Sequence, residues 1–360
     1  MNKTIYLCGP LAPEGQPPNG GYAAANARTL AALRSQQRSV QAMPYPAPVG
    51  GGLAKLLGYV SGFRRLLRQL ELQAPGVLHI TGLYKQFVLP ELLLLRKARR
   101  LGYLTVYDIR AGSMLLYYQR LGAVYQALFR RVLREADRVM VEGREYESFV
   151  RRLTGQSPFY FPNHVELASL ADRTSPPSGE SPVLIYVGRV NLDKGIATLL
   201  EAARLLGKRS SPVRVWIVGP VEAALQQALV RDYPDVDAQW LGSRSSQEVL
   251  DLLAQAHFFI FPTRHRGEGH SNALTEAMSM GCVPLASRNG FNASVIDDAG
   301  IILPLEADGA AYAGAVSDIW SQGRWLALSL KARARAQAHY GSPAVIGRLQ
   351  DEYRMLEQRG

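Results

Sequence analysis

Between Phe258 and Ala286 the chain changes its hydrophobic pattern twice, and that change limits what it can fold into. Phe258-Phe259-Ile260-Phe261-Pro262 is a short apolar run ended by proline. Ala273-Leu274-Thr275-Glu276-Ala277-Met278 reads as the first turns of a helix that Gly281 ends, and Val283-Pro284-Leu285-Ala286 reads as a second strand. Strand, loop, helix and strand make one unit of an open parallel α/β sheet, which binds ligands at the carboxyl ends of its strands. Ser271 or Asn272 supplies the helix N-cap, so Glu268 falls in the loop and Glu276 on the second turn. The first free amides and the positive end of the helix dipole converge between them, which suits a phosphate or diphosphate. Two carboxylates beside an anion site would repel the anion unless they served hydroxyl groups, so a sugar is read at one end and a ribose at the other.

At 360 residues and 47% hydrophobic, the chain is long enough for two domains with full cores. No apolar run approaches the roughly 20 residues that span a bilayer, and Met1-Asn2-Lys3 leads into a strand-like Thr4 to Cys8 rather than a signal peptide. A cytoplasmic protein is expected. Cys8 and Cys282 have no metal-ligand spacing and read as buried small hydrophobes. Charge is polarised: residues 1–170 hold 22 Lys+Arg against 10 Asp+Glu, whereas residues 171–360 hold 19 against 20. An excess confined to one half points to an anionic partner at one face, nucleic acid or anionic lipid.

Residues 4–10 read as the first strand, followed by a Pro/Gly-rich loop in which Gly20-Gly21 precede a helix and allow close approach to a ligand. Gly50-Gly51-Gly52 with Lys55 lacks the Gly-Lys-Ser/Thr of a Walker motif and reads as a linker. Phe63, Leu66, Leu67 and Leu70 recur at helical spacing with Arg64, Arg65 and Arg68 between them, which makes an amphipathic basic helix. The themes Leu92–Leu95 into Arg96–Arg100 and Phe129–Arg134 repeat it. Together they point to a peripheral membrane contact. Asp108, Arg110 and Ser113 follow the strand at Leu104, and for Asp108 with Arg110 both an ion pair and a role in the site are open. Tyr160 to Val165 reads as the last strand of the half, and Asp172 to Pro182 as an interdomain linker. The α/β rhythm restarts at Val183 to Gly188, with Asp193-Lys194-Gly195 in the next loop, then strands at Val213 to Gly219 and Gln239 to Gly242; a helix after Gly341-Ser342-Pro343 lies outside the rhythm.

With these placed, a family pattern emerges. Gly188-Arg189 followed after four residues by Lys194-Gly195, then Val218-Gly219, then Glu268-Gly269 and after six residues Glu276-Ala277-Met278, and finally Gly281-Cys282-Val283-Pro284, resembles the glycosyltransferase family 4 domain. The likeness spans nearly all of residues 160–340. It implies the GT-B fold, two Rossmann-like domains facing across a cleft, with an N-terminal domain over 1–171, a linker at 172–182, a nucleotide-sugar domain over 183–340 and a final helix, 341–360, returning to the first domain.

The resemblance further implies a nucleoside-diphosphate sugar as donor, retention of anomeric configuration and no bound metal, because basic residues and the helix dipole take its place. By position, Arg189 and Lys194 would clamp the diphosphate leaving group, Glu268 the donor sugar and Glu276 the ribose. Amides around His270, Ser271 and Asn272 would meet phosphate oxygens, and Gly188, Gly219, Arg244, Gly269 and Ala273 complete the implied donor set. On the acceptor side stand Gly20 and Gly21. The family often carries a histidine where this chain has Tyr107-Asp108, so Asp108 or Arg110 would substitute as the catalytic group there. The loop from Ser287 to Ser294 departs from the family's paired glycines and Glu.

Asp235-Val236-Asp237 mimics the metal motif of the other main glycosyltransferase fold but precedes a strand and reads as a solvated turn. His265, Glu268 and His270 fit no common zinc spacing. The expectation is a retaining glycosyltransferase, peripheral at the inner face of the cytoplasmic membrane, acting on a saccharide acceptor, lipid-linked, in surface polysaccharide synthesis such as lipopolysaccharide. An epimerase or hydrolase of the same fold, or a nucleic-acid-binding protein using the basic half, would be the rivals. The basic stretches lack interleaved stacking aromatics, so no nucleic acid is expected.

Overall fold

A computed structural model describes residues 3–12, 16, 20–48, 50–166, 181–208 and 213–359. The chain divides into two compact units, residues 1–163 with 345–360, and residues 164–344.

The first unit is a six-stranded parallel sheet, β1 (Ile5–Gly9), β2 (Val40–Pro44), β3 (Val77–Gly82), β4 (Leu104–Ile109), β5 (Arg138–Val141) and β6 (Phe159–Tyr160), in the order β2-β1-β3-β4-β5-β6. Its central strands are buried along their whole length, as parallel strands covered on both faces must be. The helices are α1 (Gly21–Ser35), α2 (Gly52–Leu72), α3 (Val88–Arg100), α4 (Met114–Arg120), α5 (Ala123–Glu135) and α6 (Glu147–Thr154). The glycines at 50–52 are therefore no linker but the entry to α2, which starts eleven positions before the stripe that opens at Phe63.

In the second unit the strands are β7 (Val183–Val187), β8 (Arg214–Val218), β9 (Ala238–Gly242), β10 (Phe258–Phe261), β11 (Val283–Ser287) and β12 (Ile301–Leu303), ordered β12-β11-β10-β7-β8-β9 and again all parallel. Its helices are α7 (Ile196–Gly207), α8 (Ala223–Asp232), α9 (Ser246–Leu253), α10 (Asn272–Ser279), α11 (Asn292–Ile296), α12 (Gly309–Ser321) and α13 (Trp325–Tyr340). In each sheet the strand order reverses once, between β1 and β3 and between β7 and β10. The crevice at such a reversal is where doubly wound folds bind ligands.

The last helix, α14 (Ser342–Arg359), serves the first unit's core: Val345, Ile346, Leu349, Tyr353 and Leu356 pack with Ile5, Leu33, Val77, Val106 and Met140. The divide falls after Asn163 rather than at residue 171. Val165 explains the difference, because its amide donates to Tyr340 (2.8 Å) and its carbonyl accepts from the Ser342 amide (2.8 Å), which ties residues 164–166 to the second unit. The expected strand at Tyr160–Val165 shrinks accordingly to Phe159–Tyr160. Residues 172–180 of the expected linker lie outside the described residues. Both cysteines are buried and unpaired, and burial pushes each thiol above its usual range.

Candidate active site

The loops after β7 and β10 flank the second sheet's reversal, and hydrogen bonds lash them together. The Arg264 amide donates to the Asp193 carbonyl at 2.7 Å, and the Lys194 ammonium donates to Glu268 Oε2 at 2.6 Å. Thr263 Oγ1 donates to the same carboxylate oxygen at 2.8 Å. Glu268 is buried while Lys194 keeps some access to solvent, so the pair presents an ammonium at the mouth with its counter-charge behind it. Phe261 lies beneath the ammonium, 5.7 Å from its ring centroid.

Asn191 shapes the Lys194 turn by accepting the Lys194 amide on its side chain at 2.9 Å. Next to this turn the segments after β7 and β8 run side by side. The Gly188 amide donates to the Val218 carbonyl, and a Cβ on Gly219 would stand 1.9 Å from the Gly188 carbonyl oxygen. No side chain fits there, which leaves backbone facing the crevice. Arg189 is exposed at its rim, with its carbonyl held by the Tyr186 hydroxyl at 2.8 Å.

Ser271, not Asn272, caps α10, its hydroxyl accepting the Leu274 amide at 3.3 Å. Glu268 is thus in the preceding loop and Glu276, half-buried, on the second turn, with Gly269 and Ala273 between them. The His270 ring turns inward: Nε2 meets Thr275 Oγ1 at 2.7 Å and the ring stands edge-on to Tyr340. Its imidazole is thus committed to the interior. Exposed Arg244 follows β9, at the far edge of the sheet.

Three contributors escaped sequence reasoning. Thr263 holds Glu268. Asn289 donates through Nδ2 to the carbonyls of Thr263 (3.1 Å) and His265 (2.9 Å), and so braces the Glu268 loop from the segment after β11. Gly290 sits at φ +53°, where a Cβ would come within 2.3 Å of the Glu268 carbonyl oxygen. Asn289 and Gly290 meet residues more than twenty positions away, and Thr263, only five from Glu268, lies in an irregular loop with no period to mark it.

In the first unit Asp108 and Arg110 are both buried and joined, Arg110 Nε donating to Asp108 Oδ2 at 2.5 Å. Arg110 also donates to Asn163 Oδ1 at 2.8 Å and stacks on Phe161. His79 stands between Asp108 (3.4 Å) and the Tyr353 hydroxyl (2.6 Å) of α14. Burial raises the Asp108 carboxyl, but Arg110 and His79 outweigh it, and the net direction is downward. The pair thus belongs to an ionic network whose partners all lie in the first unit and which reaches the last helix through His79 and Tyr353. Gly20, at φ +89°, caps α1, and Gly21 opens that helix at the first sheet's own reversal. Asp235 and Asp237 lie in an exposed turn before β9.

A family model described as "Glycosyl transferases group 1" matches residues 181–322. Over 108 residues the chain is 33% identical to the GDP-mannose:cellobiosyl-diphosphopolyprenol alpha-mannosyltransferase of Xanthomonas campestris, covering 29% of this chain and 28% of that relative's length. Solved structures match end to end at lower identity. A glycosyltransferase from Rickettsia africae covers 100% of both chains with a TM-score of 0.79 at 10% identity. Sucrose-phosphate synthase from Thermosynechococcus elongatus covers 99% of this chain and 100% of its own with a TM-score of 0.75 at 17% identity. The chain therefore has the GT-B fold, and its residues 181–322 match the glycosyl transferases group 1 family model.

Proposed function

We propose that the protein is a retaining glycosyltransferase that moves a sugar from a nucleoside diphosphate to a lipid-linked saccharide at a cytoplasmic membrane surface, in surface polysaccharide assembly. The observation that carries this reading is the loop pair at the β7/β10 reversal, where the Lys194 ammonium, the buried Glu268 carboxylate and the start of α10 meet. Arg189 and Lys194 would neutralise the diphosphate as it departs, helped by the α10 dipole. Glu268, already holding Lys194, would set the sugar hydroxyls, and Glu276 would take the ribose. A cation pre-placed on a carboxylate needs little reorganisation when negative charge develops beside it. The lipid-linked acceptor rests on the polarised basic charge of the first half and on the printed activity of the Xanthomonas relative, whose acceptor is a diphosphopolyprenol. No metal need take part, since the site's own cations face the leaving group.

Thermal-shift screening of UDP-, GDP-, ADP- and dTDP-sugars against wild type and Glu276→Ala tests the donor site, because a ligand of the native state raises its melting temperature. One nucleotide class should stabilise wild type and lose its effect in the variant. Stabilisation by nucleic acid alone would overturn the reading, and donor turnover without any acceptor would turn it into a hydrolase or epimerase.

A further inference from the structure

The first unit carries an open apolar groove of about 380 Å³ between α2 and α3, within the roughly 300–1,000 Å³ range of small-ligand sites. Val60, Phe63 and Leu67 of α2 face Phe87, Leu89 and Leu93 across it. Its floor is aromatic, with Phe63 and Phe87 packed on Tyr45 at ring separations of 5.3 and 6.0 Å. The groove faces outward because α2 seats its glycines inward: a Cβ at Gly58 or Gly62 would stand 2.5 or 2.3 Å from the rings of Pro48 and Pro46. Leu56, Val60, Leu89 and Leu93 are consequently 40–59% exposed. A soluble domain rarely leaves such a stripe uncovered. Its flank is basic, since α2 carries Lys55, Arg64, Arg65 and Arg68 and no acid before Glu71.

One end of the groove meets the sheet edge. Gln86 and Phe87 line it, and Lys85 precedes them in the turn after β3, at the β1/β3 reversal. That turn is strained, with non-glycine φ values of +42° at Tyr84 and +51° at Lys85. Three bonds hold it. Glu91 accepts the Leu83 amide (2.7 Å), the Tyr84 hydroxyl meets Ser113 Oγ (2.7 Å), and the Lys85 amide donates to the Tyr125 hydroxyl (3.0 Å). The Lys85 ammonium ends between the rings of Tyr84 and Tyr117. Residues held in such conformations cluster at binding and catalytic sites.

Resting on the lipid-linked acceptor proposed above, we infer that the α2–α3 groove seats the hydrocarbon chain of that acceptor and that Lys85 receives the phosphate joining chain to saccharide. The apolar wall suits such a molecule's tail, and the basic residues along α2, with Lys85 next to the lining residue Gln86, suit its phosphate.

A fluorescent anthraniloyl geranyl diphosphate, titrated into the full-length protein with farnesyl diphosphate, farnesol and inorganic diphosphate as competitors, tests this. Saturable binding is expected, displaced by farnesyl diphosphate, less well by farnesol, and not by inorganic diphosphate. Val60→Asp and Leu93→Asp should each weaken it about tenfold or more, and Lys85→Ala should weaken farnesyl diphosphate while leaving farnesol unchanged. Both aspartate sites are partly exposed, so folding should survive. A retained nucleotide-sugar thermal shift verifies this and keeps a failure here separate from failure of the transferase reading. Unchanged probe affinity in the variants overturns the groove. So does loss of flotation with anionic phosphatidylglycerol vesicles by variants of a protein that never binds the probe saturably, because α2 would then serve only the bilayer surface.

Discussion

Glu91 is the residue whose chemistry departs furthest from its place in the sequence. It sits in a leucine-rich helix, fully buried, yet accepts from the hydroxyls of Tyr107 (2.6 Å) and Tyr45 (3.1 Å) and from the Leu83 amide. Burial pushes its carboxyl up to about 7, and these hydrogen bonds, with one from the Tyr84 backbone, only partly oppose that. The folded chain then binds a proton that the unfolded chain releases near pH 4.3, so stability falls as pH rises from about 4.3 to 7 and stays lower above that. Glu91→Gln should remove this component, worth about 4 kcal/mol across the window. Urea midpoints at pH 5 and pH 8 check it; equal pH dependence in wild type and variant would reject it. Arg189, Lys194, Glu268 and Glu276 could be picked out from motif spacing because each lies at a fixed offset from a glycine or a helix start. Glu91 and Asn289 could not, because the hydroxyls around Glu91 and the carbonyls that Asn289 bonds come from segments distant in the chain, and Thr263, five residues from Glu268, could not because no regular spacing marks a loop contact.

At the scale of elements, the loop after β10 works only because the loop after β11 lets it. Gly290 must sit at positive φ and clear the Glu268 carbonyl, and the Asn289 side chain bonds Thr263 and His265 from beside it. Gly290→Ala should destabilise the second unit by about 1–3 kcal/mol through left-handed strain and the clash. It should also weaken the nucleotide-sugar thermal shift, since Glu268 must move. A melting temperature and ligand response equal to wild type would show that the loop has room. The strand-loop-helix-strand unit around Glu268 was legible because each of its pieces has a clear period. The first half of α2 was not, since Gly58 and Gly62 replace the apolar residues that an inward stripe would show and its leucines face out.

On the scale of the whole molecule, the return of α14 makes the first unit depend on the last residues of the chain. Its stripe of Val345, Ile346, Leu349, Tyr353 and Leu356 closes a core that begins at Ile5, while Glu352 and Glu357 pair with Arg138 and Arg38. The helix could be read from its position after Gly341-Ser342-Pro343. Its partner could not be read from periodicity, because an apolar stripe says that something is covered, not what covers it. Leu349 is fully buried, so Leu349→Ala should cost about 2–5 kcal/mol by the lost transfer energy and the cavity left behind. That loss belongs to the first unit. In scanning calorimetry with a stabilising nucleotide sugar, the variant should show an early transition that the ligand does not move and a later one that it still raises. A single transition, lowered whole and no longer moved by the ligand, would mean that the two units do not unfold separately and that α14 supports the second unit as well.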